Sequence, residues 1–338
     1  MKTKVLLDPA FREMDVIFTS EDLARIHIVA EILWASNELI PEEEIEKIQG
    51  DVEIIICGYW RYGDVKRFPR LRAILEVGGF FPKPDALDYG VCFSRGIRVL
   101  SCAPAFGPAV AEMALGLALA CSRQISWTDR AFRQSLPQWS HSTFETELGV
   151  PFTLFGKRVG MIGFGGLAHA LLPLLAPFNC PIQVYDPWLT DTYLEEQGVT
   201  PVDLDTLMST SRVIFVLAVP SATNEAMLDR EKLSLIAPDA VFLLISRSHL
   251  VDFDALTDLL LEGRFMAGID VFPEEPLPQE HPIHNTNHAV LSSHRAGANV
   301  EALHNIGHLV ANDLEALCSG KAPFAMQQAQ PEYIRLRG

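Results

Sequence analysis

Cysteines are few in this sequence, and no two of them form a Cys-x-x-Cys pair. Cys57, Cys92, Cys102, Cys121, Cys180 and Cys318 stand singly, which argues against a disulfide scaffold and a thiolate zinc site. They read as reduced, mostly buried thiols of a cytoplasmic protein. Basic residues are scarce too. Against 43 Asp and Glu there are 27 Lys and Arg, a formal charge of −16 that repels nucleic acid and anionic membrane. An anionic substrate must then be drawn in by a local positive site, which directs attention to isolated arginines, Arg247 above all. No apolar run reaches the roughly 18 residues of a membrane span. The N-terminus turns polar by Asp8, too early for the apolar core of a signal peptide.

What is present is alternation. Short apolar runs at 4–7, 52–57, 71–77 and 97–100 read as strands, with a helix over 22–30, and 338 residues give room for two domains. A second series, at 159–162, 182–185, 213–217, 241–245, 267–269 and 289–291, has the strand number of a doubly wound nucleotide-binding sheet. Residues 104–123 form an Ala/Leu-rich helix, apolar nearly all round, suited to a domain or subunit interface. The stretch 124–150 loses periodicity and carries Trp127, Phe132, Trp139 and Phe144, an arm expected to wrap a second subunit. An amphipathic helix covers 302–317, and an irregular tail is expected from Ala322.

Gly163-Phe164-Gly165-Gly166-Leu167-Ala168 follows the strand at 159–162 and opens a helical stretch. It fits Gly-x-Gly-x-x-Gly/Ala, in which the first glycine makes the turn and the second lets backbone reach a pyrophosphate. Asp186 ends the next strand, placed to accept from a ribose 2′-hydroxyl and repel a 2′-phosphate. Pro187-Trp188 follow it, with no Arg or Lys for a phosphate, so NAD is favoured over NADP. In the earlier part, Gly58-Tyr59-Trp60-Arg61-Tyr62-Gly63 and Gly78-Gly79-Phe80-Phe81 follow strands, where the paired glycines would bring amides to a substrate carboxylate.

Downstream of the glycine loop come Arg247, Glu275 and His294. Arg holds a carboxylate with two hydrogen bonds, His moves a proton on a carbonyl oxygen, and a Glu beside it keeps the imidazole charged and oriented. With Val110-Ala111-Glu112, Val251-Asp252, Asp270 to Leu277 and Ser293 to Gly297, these stretches resemble the D-2-hydroxyacid dehydrogenase family, which includes phosphoglycerate dehydrogenases and glyoxylate/hydroxypyruvate reductases.

The resemblance implies an α/β fold of two doubly wound parallel-sheet domains. A Rossmann NAD-binding domain (104–295) is inserted into a flavodoxin-like substrate domain (1–103 and 296–338), with the active site in the cleft between them. It implies hydride transfer between NAD(H) and a 2-hydroxy/2-keto acid pair, in a homodimer. Arg247 would bind the substrate carboxylate, His294 would be the acid/base and Glu275 its partner; spacing from Asp270 favours Glu275 over Glu274. Gly163, Gly165, Gly166, Leu167, Asp186, Leu217, Ala218, Ile245, Ser246, Asp270 and Gly297 would face the cofactor, Asp270 near the carboxamide. Gly78, Gly79 and Arg61 would face the substrate.

Departures from the family pattern fall at Leu244-Ile245-Ser246-Arg247-Ser248, where Asn-Thr and Gly are usual. They also fall at Arg295, where an apolar residue is usual, and in the longer Gly79 to Pro84 loop. They point to an additional anionic contact from Arg61, Lys83 or Arg295, suiting a longer or doubly acidic substrate; solvent-facing charge is the alternative for each. Two rival readings of the whole remain. One is an NADH-sensing regulatory protein on the same scaffold. The other is a zinc site at His281, His284, His288 and His294, for which this Pro- and Asn-rich loop is a poor cage. A formate- or phosphite-oxidising enzyme is a further reading; formate-oxidising members carry Gln where Glu275 stands, so that branch is disfavoured.

Overall fold

A computed structural model describes residues 2–135, 139 and 145–335. The chain forms two compact units, one of Met1–Gly107 with Ala298–Gly338 and one of Pro108–Gly297. The first unit begins with β1 (Thr3–Asp8), β2 (Ala30–Ala35), β3 (Ile54–Cys57), β4 (Ala73–Glu76) and β5 (Arg98–Ser101). β3 and β4 are buried at every position, as continuous apolar runs in a parallel sheet covered on both faces are. The helix Ser20–Val29 starts in a capping box: Thr19 Oγ1 accepts the Asp22 amide at 3.1 Å, and Asp22 accepts the Thr19 amide. That helix runs straight into β2 with no Gly or Pro between them, so the apolar pattern alone does not reveal the strand.

The second unit holds β6 (Val159–Ile162), β7 (Ile182–Tyr185), β8 (Thr200–Pro201), β9 (Val213–Val216), β10 (Val241–Leu244), β11 (Met266–Ile269) and β12 (Ala289–Leu291). Its sheet is parallel throughout, in the order β12-β11-β10-β9-β6-β7-β8. The order reverses between β6 and β9, and loops beyond the carboxyl ends of those strands flank a crevice where ligands bind in such sheets. The helix Gly107–Ser122 supplies Ala111, Ala114, Leu117, Ala118 and Cys121 to this unit's core. With the turn before it, Ala103–Ser122 is long and apolar enough to cross a membrane by length and composition, correcting the expectation that no such run exists.

Two further expectations are corrected. The stretch taken as aperiodic contains a helix, Ile125–Arg133, none of whose residues is buried. Phe132 and Trp139 are exposed with ring centroids 6.1 Å apart, and Phe144 lies outside the described residues. The tail is not irregular throughout. After the helix Val300–Cys318, capped by Asn299, it forms β13 (Gln327–Gln328) and a short helix, Pro331–Arg335.

β13 completes the first sheet in the order β13-β5-β4-β3-β1-β2, pairing antiparallel to β5. Its approach is fixed by Asp313, a fully buried carboxylate that accepts the amides of Phe324, Ala325 and Met326 at 2.7, 2.9 and 2.7 Å. The first sheet reverses its order between β1 and β3.

Candidate active site

β6 ends in a turn only glycine can make. Gly163 has φ +89°, and a β-carbon there would lie 2.5 Å from Ala218 Cα. Ala218 follows β9, whose pairing with β6 continues through the Leu217 amide to Ile162 O at 2.8 Å. Gly165 and Gly166 have open space where side chains would stand, at the start of the helix Gly166–Leu175, and Ala168 is buried behind them. Asp186, just past β7, accepts the Phe164 amide at 2.8 Å and the Trp188 amide at 3.0 Å. A tight turn, an open glycine pair at a helix N-terminus and an acid on the neighbouring strand fit a dinucleotide.

On the other side of the switch point, β10 leads through buried Ile245 and Ser246 to Arg247, which emerges exposed with its Nη1 donating to Ser246 O at 2.6 Å. β11 runs into Asp270, and β12 runs through Ser292 to His294. The Ser292 amide bonds Ile269 O and the His294 amide bonds Asp270 O, both at 2.8 Å. His294 is left-handed, at φ +52°. Its Nδ1 lies 2.6 Å from Glu275 Oε2, while Glu275 Oε1 accepts the Phe272 amide at 3.0 Å. Burial works against charge on Glu275. The bond to His294, the Phe272 amide and the charges of His294 and Arg247 outweigh it, holding the carboxyl below its usual pKa. Arginine, carboxylate and imidazole therefore act on one another, with Nε2 of the ring turned away from Glu275.

The other histidines of this region are engaged locally. His281 Nδ1 accepts the Ile283 amide, and His284 Nε2 lies 3.2 Å from Pro278 O. Among the described residues no three His, Cys, Asp or Glu side chains converge as metal ligands do.

Asp270 lies just past β11. It is fully buried, and its two oxygens accept the amides of Arg295 and Ala296 at 2.9 and 3.0 Å. Gly297 follows in the same turn.

In the first unit the expected substrate contacts are already engaged. The Gly78, Gly79 and Phe80 amides donate to the fully buried Glu76, at 2.6, 3.0 and 3.1 Å. The group held by the glycine loop is thus the chain's own carboxyl. Arg61, expected to meet substrate, is ion-paired to buried Asp8, which also accepts from Tyr62 Oη at 2.6 Å. Lys83 and Arg295 are exposed. Neither Glu76 nor Asp8 was picked out in sequence; the one available signal was an acid ending a strand beside a glycine-bearing loop.

Burial pushes Glu76 up to about 8, against the pull of the three amides and Arg12. Its folded-state pKa exceeds the ordinary 4.5, so its contribution to stability is full below about pH 4.5 and is lost as pH rises through about 8. Denaturant midpoints between pH 5 and 9 should fall more steeply for the wild type than for Glu76→Gln. Parallel curves would contradict this.

Comparison with known proteins identifies the family. Residues 115–296 match the profile described as D-isomer specific 2-hydroxyacid dehydrogenase, NAD binding domain. The chain belongs to this family. It is 32% identical over 273 residues to a glyoxylate reductase of Thermofilum pendens, covering 80% of this chain and 78% of that one. A phosphoglycerate oxidoreductase structure from Rhizobium etli is similar at TM-score 0.82 and 34% identity, covering 97% and 99%. An NADPH-dependent glyoxylate/hydroxypyruvate reductase from Sinorhizobium meliloti shares the fold at TM-score 0.70 and 22% identity, covering 96% and 98%. The 2-hydroxyacid dehydrogenase fold expected from the sequence is the fold found, and the activity is oxidation and reduction between 2-hydroxy and 2-keto acids.

Proposed function

We propose that Arg247 binds the carboxylate of a 2-keto acid, that His294 gives its proton to the carbonyl oxygen, and that Glu275 holds the imidazole for that transfer. The observation that carries this reading is the 2.6 Å contact of Nδ1 with Glu275, which leaves Nε2 as the ring nitrogen that meets substrate. When bound, the nicotinamide cofactor supplies or accepts the hydride. Gly163, Gly165, Gly166 and Leu167 would hold its pyrophosphate, Asp186 its ribose, and Leu217, Ala218, Ile245 and Ser246 line the same edge of the sheet. The charge of Asp186, followed by Pro187 and Trp188, favours NAD over NADP.

The test is oxidation of NADH and of NADPH, followed at 340 nm, against glyoxylate, hydroxypyruvate, phosphohydroxypyruvate and sugar-derived 2-keto acids. NADH should be preferred by about 2 kcal/mol, roughly thirtyfold in kcat/KM. Equal use of both cofactors would reject the assignment to Asp186. Tight NADH binding with no turnover of any acid would favour the regulatory reading.

We also propose a homodimer in the cytoplasm. Ile125, Phe132 and Trp139 are exposed at 54%, 61% and 57%, an apolar display that a second copy would cover. Sedimentation at micromolar concentration should give twice the chain mass; a monomer would exclude it.

A further inference from the structure

We propose that the carboxyl edge of the first sheet binds the substrate's side chain, and that this side chain is apolar, as in an aromatic or branched 2-keto acid. The inference rests on the reading of the protein as a 2-keto acid reductase with this unit as its substrate domain.

The sheet reverses its order between β1 and β3, and ligands of open α/β sheets bind beyond the strand ends at such a point. The loops leaving β1, β3, β4 and β5 there are tied together by aromatic rings. Phe11, after β1, stacks on Tyr59, after β3, with ring centroids 6.1 Å apart and planes inclined by 22°. The Phe11 ring also lies over the glycines of two loops. A β-carbon on Gly58 would stand 3.0 Å from its Cδ1, and one on Gly78 would stand 3.2 Å from its Cζ. Phe106, after β5, covers Gly79 in the same way, 2.8 Å from where a β-carbon would be. The Arg12 guanidinium joins the two rings, 5.1 Å from the Phe11 centroid and 5.6 Å from that of Phe106. These glycines therefore let aromatic faces lie against backbone. Phe11 is left-handed at φ +46°, a strained setting for a large side chain, yet it is 59% exposed and Tyr59 is 41% exposed. Strain together with exposed aromatic surface is the mark of a binding face rather than of a core.

The donors placed to hold a second anionic group at this edge are spent within the chain. The amides of Gly78, Gly79 and Phe80 all point to Glu76. Arg61 is ion-paired to buried Asp8, its Nη1 is buried, and Tyr62 gives its hydroxyl to the same carboxylate. Arg12 donates to Val77 O at 2.7 Å and to Gly78 O at 3.3 Å. A phosphate or a distal carboxylate brought here would give up water without gaining these donors in return. A phenyl or isobutyl group would instead gain the faces of Phe11 and Tyr59.

NADH oxidation should be compared for phenylpyruvate, 2-ketoisocaproate, glyoxylate, phosphohydroxypyruvate and oxaloacetate. Phenylpyruvate should exceed phosphohydroxypyruvate in kcat/KM by about tenfold or more. In Phe11→Ala and in Tyr59→Ala, the kcat/KM ratio of phenylpyruvate to glyoxylate should fall about tenfold, since glyoxylate has no side chain to lay on the rings. Tyr59→Ala serves if the Phe11 variant does not fold. A preference for phosphohydroxypyruvate or oxaloacetate over phenylpyruvate, or a ratio that moves in neither variant, overturns the apolar subsite while the reductase reading stands. If no acid is reduced, the reductase reading fails and binding alone decides the subsite. The ring-proton NMR lines of phenyllactate should then broaden with the wild type and less with Tyr59→Ala. Equal broadening, or none, overturns the subsite as well.

Discussion

With His294 changed to alanine, the protein should still bind NADH but reduce 2-keto acids about a thousandfold more slowly, the usual contribution of a placed general acid. The reason lies in the charges left behind. In the proposed assignment Arg247 remains to hold the substrate carboxylate, so binding should survive. Glu275, now without the imidazole at 2.6 Å, keeps a negative charge near the position where an alkoxide forms. The developing oxyanion then gains neither a proton nor a neighbouring positive ring and faces a carboxylate of like charge. Glu275→Gln should cost less, about tenfold, because the imidazole remains and loses only its charged partner. Single-turnover kinetics after mixing with substrate would measure both. A His294→Ala rate within tenfold of the wild type would remove His294 from the chemistry.

The largest expected loss of stability lies away from this site. Asp313→Ala leaves the amides of Phe324, Ala325 and Met326 without their acceptor at a fully buried position. Each orphaned buried donor costs about 1–3 kcal/mol, and partial access of water brings the sum to on the order of 4 kcal/mol. For a unit of this size that lowers Tm by roughly 10 °C. The affected strand, β13, has only two residues and lies at the edge of its sheet, paired to β5. Calorimetry of the wild type, Asp313→Ala and Asp313→Asn would resolve the effect, with the asparagine variant between the other two. An alanine variant melting within about two degrees of the wild type would show that water or backbone replaces the carboxylate.

Much of the second unit was legible because its strands are short apolar runs, three of them closed by Gly163, Asp186 or Asp270. Val213–Val216 and Val241–Leu244 can bury both faces only in a parallel sheet. The meeting of Glu275 with His294 was also legible, from the order of residues that carries the family resemblance. Side-chain occupancy was not. That Glu76 fills the amide nest of Gly78, Gly79 and Phe80 depends on one rotamer at the buried carboxyl end of β4, and composition carries no trace of it. Nor could β13 be read: Gln327 and Gln328 are polar and exposed, and their strand exists because Asp313 sets the chain beside β5. The helix Ile125–Arg133 escaped for the opposite reason, since its apolar residues face outward rather than into a core.

The two-part construction of the first unit sets a timetable for synthesis. Ile306, Val310, Ala311 and Leu314 belong to the same core as Val5, Ile54 and Leu75, yet they are translated after the whole of the second unit. While the ribosome works through Pro108–Gly297, one face of the N-terminal sheet lacks its covering helix and β5 lacks its edge partner. The second unit, one unbroken stretch, has every strand of its sheet before that helix emerges. During translation the N-terminal segment is thus the last to complete its core, and nascent-chain chaperones would find their exposed apolar surface there.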